Sequence, residues 1–176
     1  MAAAARAADA RDATHHCWAY RLWREGAVEG AGFDAGEPAG TAGRPILGSL
    51  ERGGIVQAVC VVSRWFGGVK LGTGGLTRAY GEATRAAVEA AEAAGALTAV
   101  APRAVCRIGF GYPLSAAVGR VVARHGGRET AAEYGGRVEL EVSVAPERVA
   151  AFRREIGEAT GGGAALRESG FRLERA

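Results

Sequence analysis

Three cations, Arg64, Lys70 and Arg78, bracket five glycines, Gly67, Gly68, Gly72, Gly74 and Gly75, in the stretch RWFGGVKLGTGGLTRAY. Glycine enters the left-handed region at little cost and lets another molecule come close to the backbone. An apolar, β-branched run from Ile55 to Val62 precedes the stretch and reads as a buried strand. An Ala-rich run from Gly75 to Ala94 follows and reads as a helix. A glycine-rich loop that opens a helix presents unpaired N–H groups and the positive end of the helix dipole, an arrangement that holds anions. No Asp or Glu lies between Arg64 and Gly81 to neutralise it. Thr73 is the one side chain placed to act as N-cap, and it satisfies a single donor. The expected anion site therefore comprises Gly72, Thr73, Gly74 and Gly75 with Arg64, Lys70 and Arg78. The spacing fits neither a Walker loop nor the dinucleotide fingerprint. The competing reading is a tight turn that only packs the helix on the strand.

A second set of residues could do acid–base chemistry: His15, His16, Asp34 and Glu37. If Thr14 to Leu22 is a strand, His15, Cys17 and Ala19 share one face while His16, Trp18 and Tyr20 share the other. Two adjacent histidines on a regular strand cannot ligate one metal. No HExxH or comparable ligand cluster is visible, so neither a metal nor a cofactor is expected. No nucleophile stands beside a base. Cys17, Cys60 and Cys106 form no CxxC pair and read as buried free thiols.

These residues need elements to position them. Residues 1–12 are Ala-rich and suit the last turns of a helix. Residues 24–43 form a Gly-rich connection, either an ordered surface loop or a mobile lid, with a short edge strand near Ala27. A helix is expected from Gly43 to Glu51, with Thr41 as a cap and Pro45 in its first turn. After Gly95 a break is expected at Val100 to Pro102. Beyond it the pattern reads strand (Arg103–Phe110), helix (Tyr112–His125), strand (Arg128–Tyr134), a two-residue Gly135–Gly136 turn, strand (Arg137–Val144), helix (Pro146–Thr160) and strand (Ala164–Leu173). That order, βαββαβ, is the ferredoxin-like split unit. Two domains follow, 1–99 and 103–176.

The length of 176 residues suits one domain or two small ones, and the apolar fraction of 48% is enough for a core. No apolar run is long enough to cross a membrane, and the start lacks a secretory core, which makes the cytoplasm the expected location. Residues 1–100 carry ten basic and ten acidic side chains, whereas residues 101–176 carry twelve Arg and nine Glu. The excess of positive charge thus lies in the second half, which permits contact with RNA without requiring it.

Three blocks, DATHHCWAYRL, DAGEPAGTAGRPIL and VVSRWFGGVKLGTGGLTRAYGEA, resemble the signature blocks of the YigZ/IMPACT family, in family order, over roughly residues 12–85. The rest resembles the family's bacterial C-terminal domain. The resemblance implies an α+β chain: an N-terminal domain of the ribosomal-protein domain-two type, with a left-handed βαβ unit, and a C-terminal ferredoxin-like domain similar to the last domain of elongation factor G. Two departures stand out. Family members begin with a further strand–helix unit of which almost nothing is present here, so the N-terminal domain is expected to lack its first strand and part of its first helix, or the start was assigned too late. The family's Asp-Asp-Gly-Glu-Pro-Ser block has Ala35 and Ala39 in place of two polar residues.

The resemblance also implies translation. The first functional expectation is a translation-associated regulatory protein that contacts RNA or a ribosome-linked partner, with phosphates on the glycine-rich loop and Trp65 and Phe66 stacking on bases if exposed. The alternative is an enzyme acting on a small phosphorylated or nucleotide substrate.

Overall fold

The computed structural model describes residues 10–176, and the chain divides into two compact units, Met1–Thr98 and Ala99–Ala176. The expected helix end over residues 1–12 falls, for residues 1–9, outside the described residues.

In the first unit, β1 (His15–Arg24) is the central strand of a three-stranded antiparallel sheet, flanked by β2 (Ala27–Phe33) and β3 (Ala58–Arg64). Among the described residues it is accompanied by two helices, α1 (Gly43–Arg52) and α2 (Gly72–Ala93). The alternation along β1 sends Cys17 and Ala19 into a core with Ala42, Ile46, Leu50, Leu76 and Tyr80. The opposite face carries Trp18, whose ring stacks on Phe33 at 4.0 Å between centroids.

Here the connection 24–43 departs from expectation. It holds a full seven-residue strand, because Glu25 and Gly26, both at positive φ, make a two-residue hairpin turn that sets β2 in register with β1. Its glycines are required by packing. A β-carbon on Gly32 would lie 2.2 Å from the Gly43 carbonyl oxygen, and one on Gly43 would lie 2.2 Å from the Phe33 nitrogen. The start of α1 therefore crosses β2 backbone to backbone. The segment between them is an ordered loop and not a lid, since Asp34 accepts hydrogen bonds from the N–H groups of Gly40, Ala42 and Gly43 at 2.8–2.9 Å. Thr41 does not cap α1: its hydroxyl donates to the Pro38 carbonyl. β3 starts at Ala58 and not at Ile55, because Gln57 sits at φ 56°, outside strand geometry. α2 starts at Gly72, three residues earlier than the alanine run suggests.

The second unit has the sheet order β5-β6-β4-β7, all antiparallel. Its strands are β4 (Val100–Phe110), β5 (Arg128–Tyr134), β6 (Val138–Val144) and β7 (Ala165–Arg175), with α3 (Ser115–Arg124) and α4 (Val149–Ala159) as the helices. Each helix is preceded by a 3₁₀ turn carrying a proline, Tyr112–Leu114 and Pro146–Arg148. Cys106, Ile108, Phe110, Leu140 and Val142 from the sheet pack against Val118, Val121, Phe152 and Ile156 from the helices. This is the ferredoxin-like arrangement.

The expected break at Val100 to Pro102 is instead the first part of β4. β6 pairs with β4 only as far as Ala104, so Pro102 has a single neighbour, Leu173 of β7, and its missing N–H leaves no gap inside the sheet. The β5–β6 connection has three residues, not two, because Tyr134 pairs with Val138 and Gly135 N–H closes on the Arg137 carbonyl.

Candidate functional site

The glycine-rich loop leaves β3 at Arg64 and enters α2 at Gly72. Gly68 and Gly72 stand at φ 88° and 68°, where a side chain would be strained. A β-carbon on Gly74 would meet the Arg78 guanidinium at 3.8 Å, an ordinary contact, so packing does not demand glycine there. Four apolar side chains of the loop, Trp65, Phe66, Val69 and Leu71, are exposed, Trp65 by 53% and Phe66 by 47%. The Phe66 N–H donates to Thr14 Oγ1, and the Arg64 guanidinium lies 5.8 Å from the Phe66 ring centre. These aromatics are held at the surface and not in the core.

The first turn of α2 has no side-chain cap and no acidic residue. The N-cap position is Leu71, so Thr73, expected to cap, lies inside the helix, where its carbonyl accepts a bond from Thr77 Oγ1. The N–H groups of this turn thus lack a side-chain acceptor. Among the described residues Lys70 and Arg78 form no hydrogen bond or ion pair. Arg64 differs from them. Its Nε donates to Glu37 Oε1 at 2.5 Å, and that bond raises its already high pKa.

Glu37 is the centre of a polar cluster beneath the loop. Its side chain is 3% exposed, and Oε1 also accepts a bond from the Tyr80 hydroxyl at 2.7 Å. Burial pushes the Glu37 carboxyl up, but the bonds from Arg64 and Tyr80 outweigh it and hold the pKa below the ordinary value. Burial, the Cys17 thiol and the Glu37 carboxylate together hold the Tyr80 hydroxyl protonated far above its ordinary range. Cys17 Sγ lies 2.8 Å from the Asp34 carbonyl and 3.3 Å from Tyr80 Oη, and burial raises its pKa. The thiol is therefore protonated and inert at neutral pH. Cys106 is buried, Cys60 half-buried, and burial raises both thiols as well.

His15 is opposite Arg64 in the β1–β3 register. Its Nδ1 donates to the Ala35 carbonyl at 3.0 Å, which leaves Nε2 facing Glu37 Oε2 at 4.0 Å. A carbonyl can only accept, so Nδ1 carries the proton in either charge state. His16 points to the other face of the sheet and shares a 2.9 Å hydrogen bond with Ser63 Oγ.

Of the residues singled out by sequence, the fold brings together His15, Glu37 and Arg64, and groups Lys70, Arg78 and Gly72–Gly75 at the start of α2. His16 stands apart. Asp34 is occupied in capping α1: burial raises its carboxyl, the three backbone N–H groups lower it, and the net shift is downward. Tyr80 was not anticipated as a partner of Glu37, nor Cys17 as a partner of Tyr80. The one sequence signal for Tyr80 is its i,i+4 spacing from Leu76, which marks a buried helix face. Among the described residues there is no group of side chains able to hold a metal ion, and no helix long and apolar enough to cross a membrane.

Comparison with known proteins places these features in a family. Residues 1–88 match the model of the Impact N-terminal domain, and residues 108–162 match a domain of unknown function (DUF1949). An IMPACT family member of Haemophilus influenzae is 45% identical over 82 residues, 46% of this chain and 40% of that protein. The IMPACT family member YigZ of Escherichia coli is 51% identical over 74 residues, 40% of this chain and 35% of that protein. The matched stretch therefore spans two-fifths or less of these relatives. A solved structure described as that of a hypothetical protein superposes with a TM-score of 0.56 and 28% identity, over 93% of this chain and 78% of that one. The first half of the sequence, which holds the glycine-rich loop and the Glu37 cluster, matches the family's defining domain, and the chain belongs to the IMPACT family.

Proposed function

We propose that this chain is a translation-associated regulatory protein that works in the cytoplasm and binds RNA, free or on a ribosome-linked partner, through the loop at the start of α2. The observation that carries the reading is the conjunction at that loop. An uncapped, acid-free helix start lies beside two unpaired cations, Lys70 and Arg78, and two exposed aromatics, Trp65 and Phe66. Phosphate suits the first two features and an unstacked base suits the third. The enzyme alternative is weaker. Asp34 is engaged by the N–H groups of Gly40, Ala42 and Gly43, Glu37 by Arg64 and Tyr80, and the Cys17 thiol is buried, so these side chains are committed to the fold.

The test is titration of the protein with single-stranded RNA at two salt concentrations. Affinity is expected to fall steeply with salt. Lys70→Ala is expected to weaken binding about tenfold and to lower the salt slope by about one, the scale of one phosphate contact. Salt-independent binding, or a Lys70→Ala protein that binds as the wild type does, would remove the loop from the interface.

A further inference from the structure

The sheet of the second unit has one face against its helices and one face open. Residues alternate along each strand, so Arg107, Gly109, Glu139 and Glu141 point away from the core that Cys106, Ile108, Leu140 and Val142 build. The register sets the open-face residues in rows across the strands, in the order β5-β6-β4-β7. One row reads Glu133, Glu139, Gly109, Ala165, and the next reads Ala131, Glu141, Arg107, Arg167. In these rows the β5–β6 half is acidic and the β4–β7 half basic. Glu133 stands directly opposite Glu139, and Arg107 directly opposite Arg167. Like charges placed directly opposite one another destabilise a sheet. Glu141 pairs with Arg107 and Arg172, and at the far end of the face Arg103 and Arg128 lie against Glu174. Glu133, Glu139 and Arg167 are exposed and form no hydrogen bond or ion pair among the described residues.

Shape follows the same division. A hollow of about 140 Å³ lies over the acidic half, beside Ala131, Glu133 and Glu141. One of about 480 Å³ lies over the basic half, beside Arg137 and Arg167, with Gly109 and Ala165 as its small residues. Arg107 and Glu139 border both. A two-fold axis parallel to the strands, between β6 and β4, lays the rows of a second copy over these rows in reverse order. Glu133 and Glu139 of each copy then stand over Ala165 and Gly109 of the other, and Arg107 stands over Glu141. Arg167 stands over Ala131, next to Glu133. Long side chains thus meet small ones, and each unpaired acid meets the basic half. Stacked sheets lie about 10 Å apart with their strands nearly aligned, which suits this superposition. Other occupants satisfy one half only. A nucleic acid would be repelled by the three glutamates, and a basic segment by the arginines.

We infer that two copies of this chain associate through the open sheet face of the second unit, with the acidic half of each on the basic half of the other. Such an interface is isologous, so every contact is made twice. Four strands about 4.8 Å apart, with about 3.3 Å per residue over seven residues, offer roughly 400 Å² per copy. That is small for a protein interface, and its contacts are ionic, so the pairing is weak, reversible and sensitive to salt. The glycine-rich loop lies in the other unit, and the inference stands apart from the RNA reading.

The test is sedimentation velocity of the whole protein over a wide range of concentration, in low and in high salt. The wild type is expected to dimerise with rising concentration in low salt and to stay monomeric in high salt. Arg167→Glu alone and Glu133→Arg alone each set like charges together at both symmetric contacts. Each is expected to weaken dimerisation at least about tenfold. Mixed in equal amounts, the two variants are expected to associate again, because positions 167 and 133 then carry opposite signs at both contacts. Both positions are exposed, and recovery in the mixture itself shows that both variants are folded. A wild type that stays monomeric at every concentration in low salt would overturn the inference, and that comparison needs no variant. A dimer that neither variant weakens, or a mixture that stays monomeric, would overturn it too. A monomeric wild type whose affinity for single-stranded RNA falls on Arg167→Glu would give the face to RNA instead.

Discussion

Asp34 shows how one side chain organises a loop. Its carboxylate collects three backbone N–H groups, closing the turn after β2 and capping α1. Replacing it with Ala leaves those donors without an acceptor, and Asp34→Ala is expected to cost about 2 kcal/mol in denaturant unfolding at neutral pH. Its folded pKa lies below the ordinary 3.8. The contribution is therefore fully present above the unfolded pKa and is lost as pH falls through the folded one. The wild type should accordingly lose stability on acidification, and Asp34→Ala should lose less over the same range. Parallel acid limbs would contradict the assignment. The next residue carries a different signal. Ala35 sits at φ 46°, which alanine disfavours and asparagine tolerates. Ala35→Asn is expected to stabilise the protein by about 0.5–1 kcal/mol, read as a raised melting temperature. An unchanged or lowered value would mean that the turn is not under strain.

At the scale of elements, the informative one is the first turn of α2. Helices commonly place acids there, and this one has none. A helix start optimised for its own stability would carry an acid or a capping side chain, so their absence is consistent with a turn kept open for a guest. Thr73→Glu separates the two demands. The added carboxylate meets the positive end of the dipole and should stabilise α2 by about 0.3–1 kcal/mol. It also puts a negative charge where phosphate is expected and should lower RNA affinity at least about tenfold. Thermal unfolding and RNA titration of the same variant check both halves. A stabilised Thr73→Glu protein with undiminished affinity would show that the ligand lies elsewhere.

At the scale of the whole molecule, each unit has its own core. The second contains Ala104, Cys106, Ile108, Phe110, Val118, Val142, Phe152 and Ile156 among its buried residues, and it comprises a complete four-stranded sheet with two helices. A sheet covered on one face by helices is a self-sufficient small core. The segment Ala99–Ala176 is therefore expected to fold alone with a single cooperative denaturant transition, followed by circular dichroism. A broad, non-cooperative transition for that segment would show that its stability depends on the rest of the chain.

The sequence by itself determined the elements whose signal is local. Strict alternation of Val138, Leu140, Val142 and Val144 with Glu139, Glu141 and Ser143 specifies β6 and its buried face, because the side-chain period of a strand is two. The prolines at 113 and 146 place the helix starts of the second unit within a turn. Alternation also placed His15 and His16 on opposite faces of β1 before any coordinate did. The glycines and cations of the loop, and the three family blocks, were equally plain. Tertiary structure decided the rest. β2 is mostly glycine, alanine and glutamate, and it becomes a strand only because β1 lies beside it and α1 crosses Gly32. Asp34 and Glu37 look alike in sequence, two acids in one polar loop. The fold gives the first to the backbone of α1 and buries the second against Arg64 and Tyr80, 27 and 43 residues away. Separations of that length leave no trace in local periodicity. They are set by which strands pair and which helix covers them, and that is why the role of Glu37 had to wait for the packed chain.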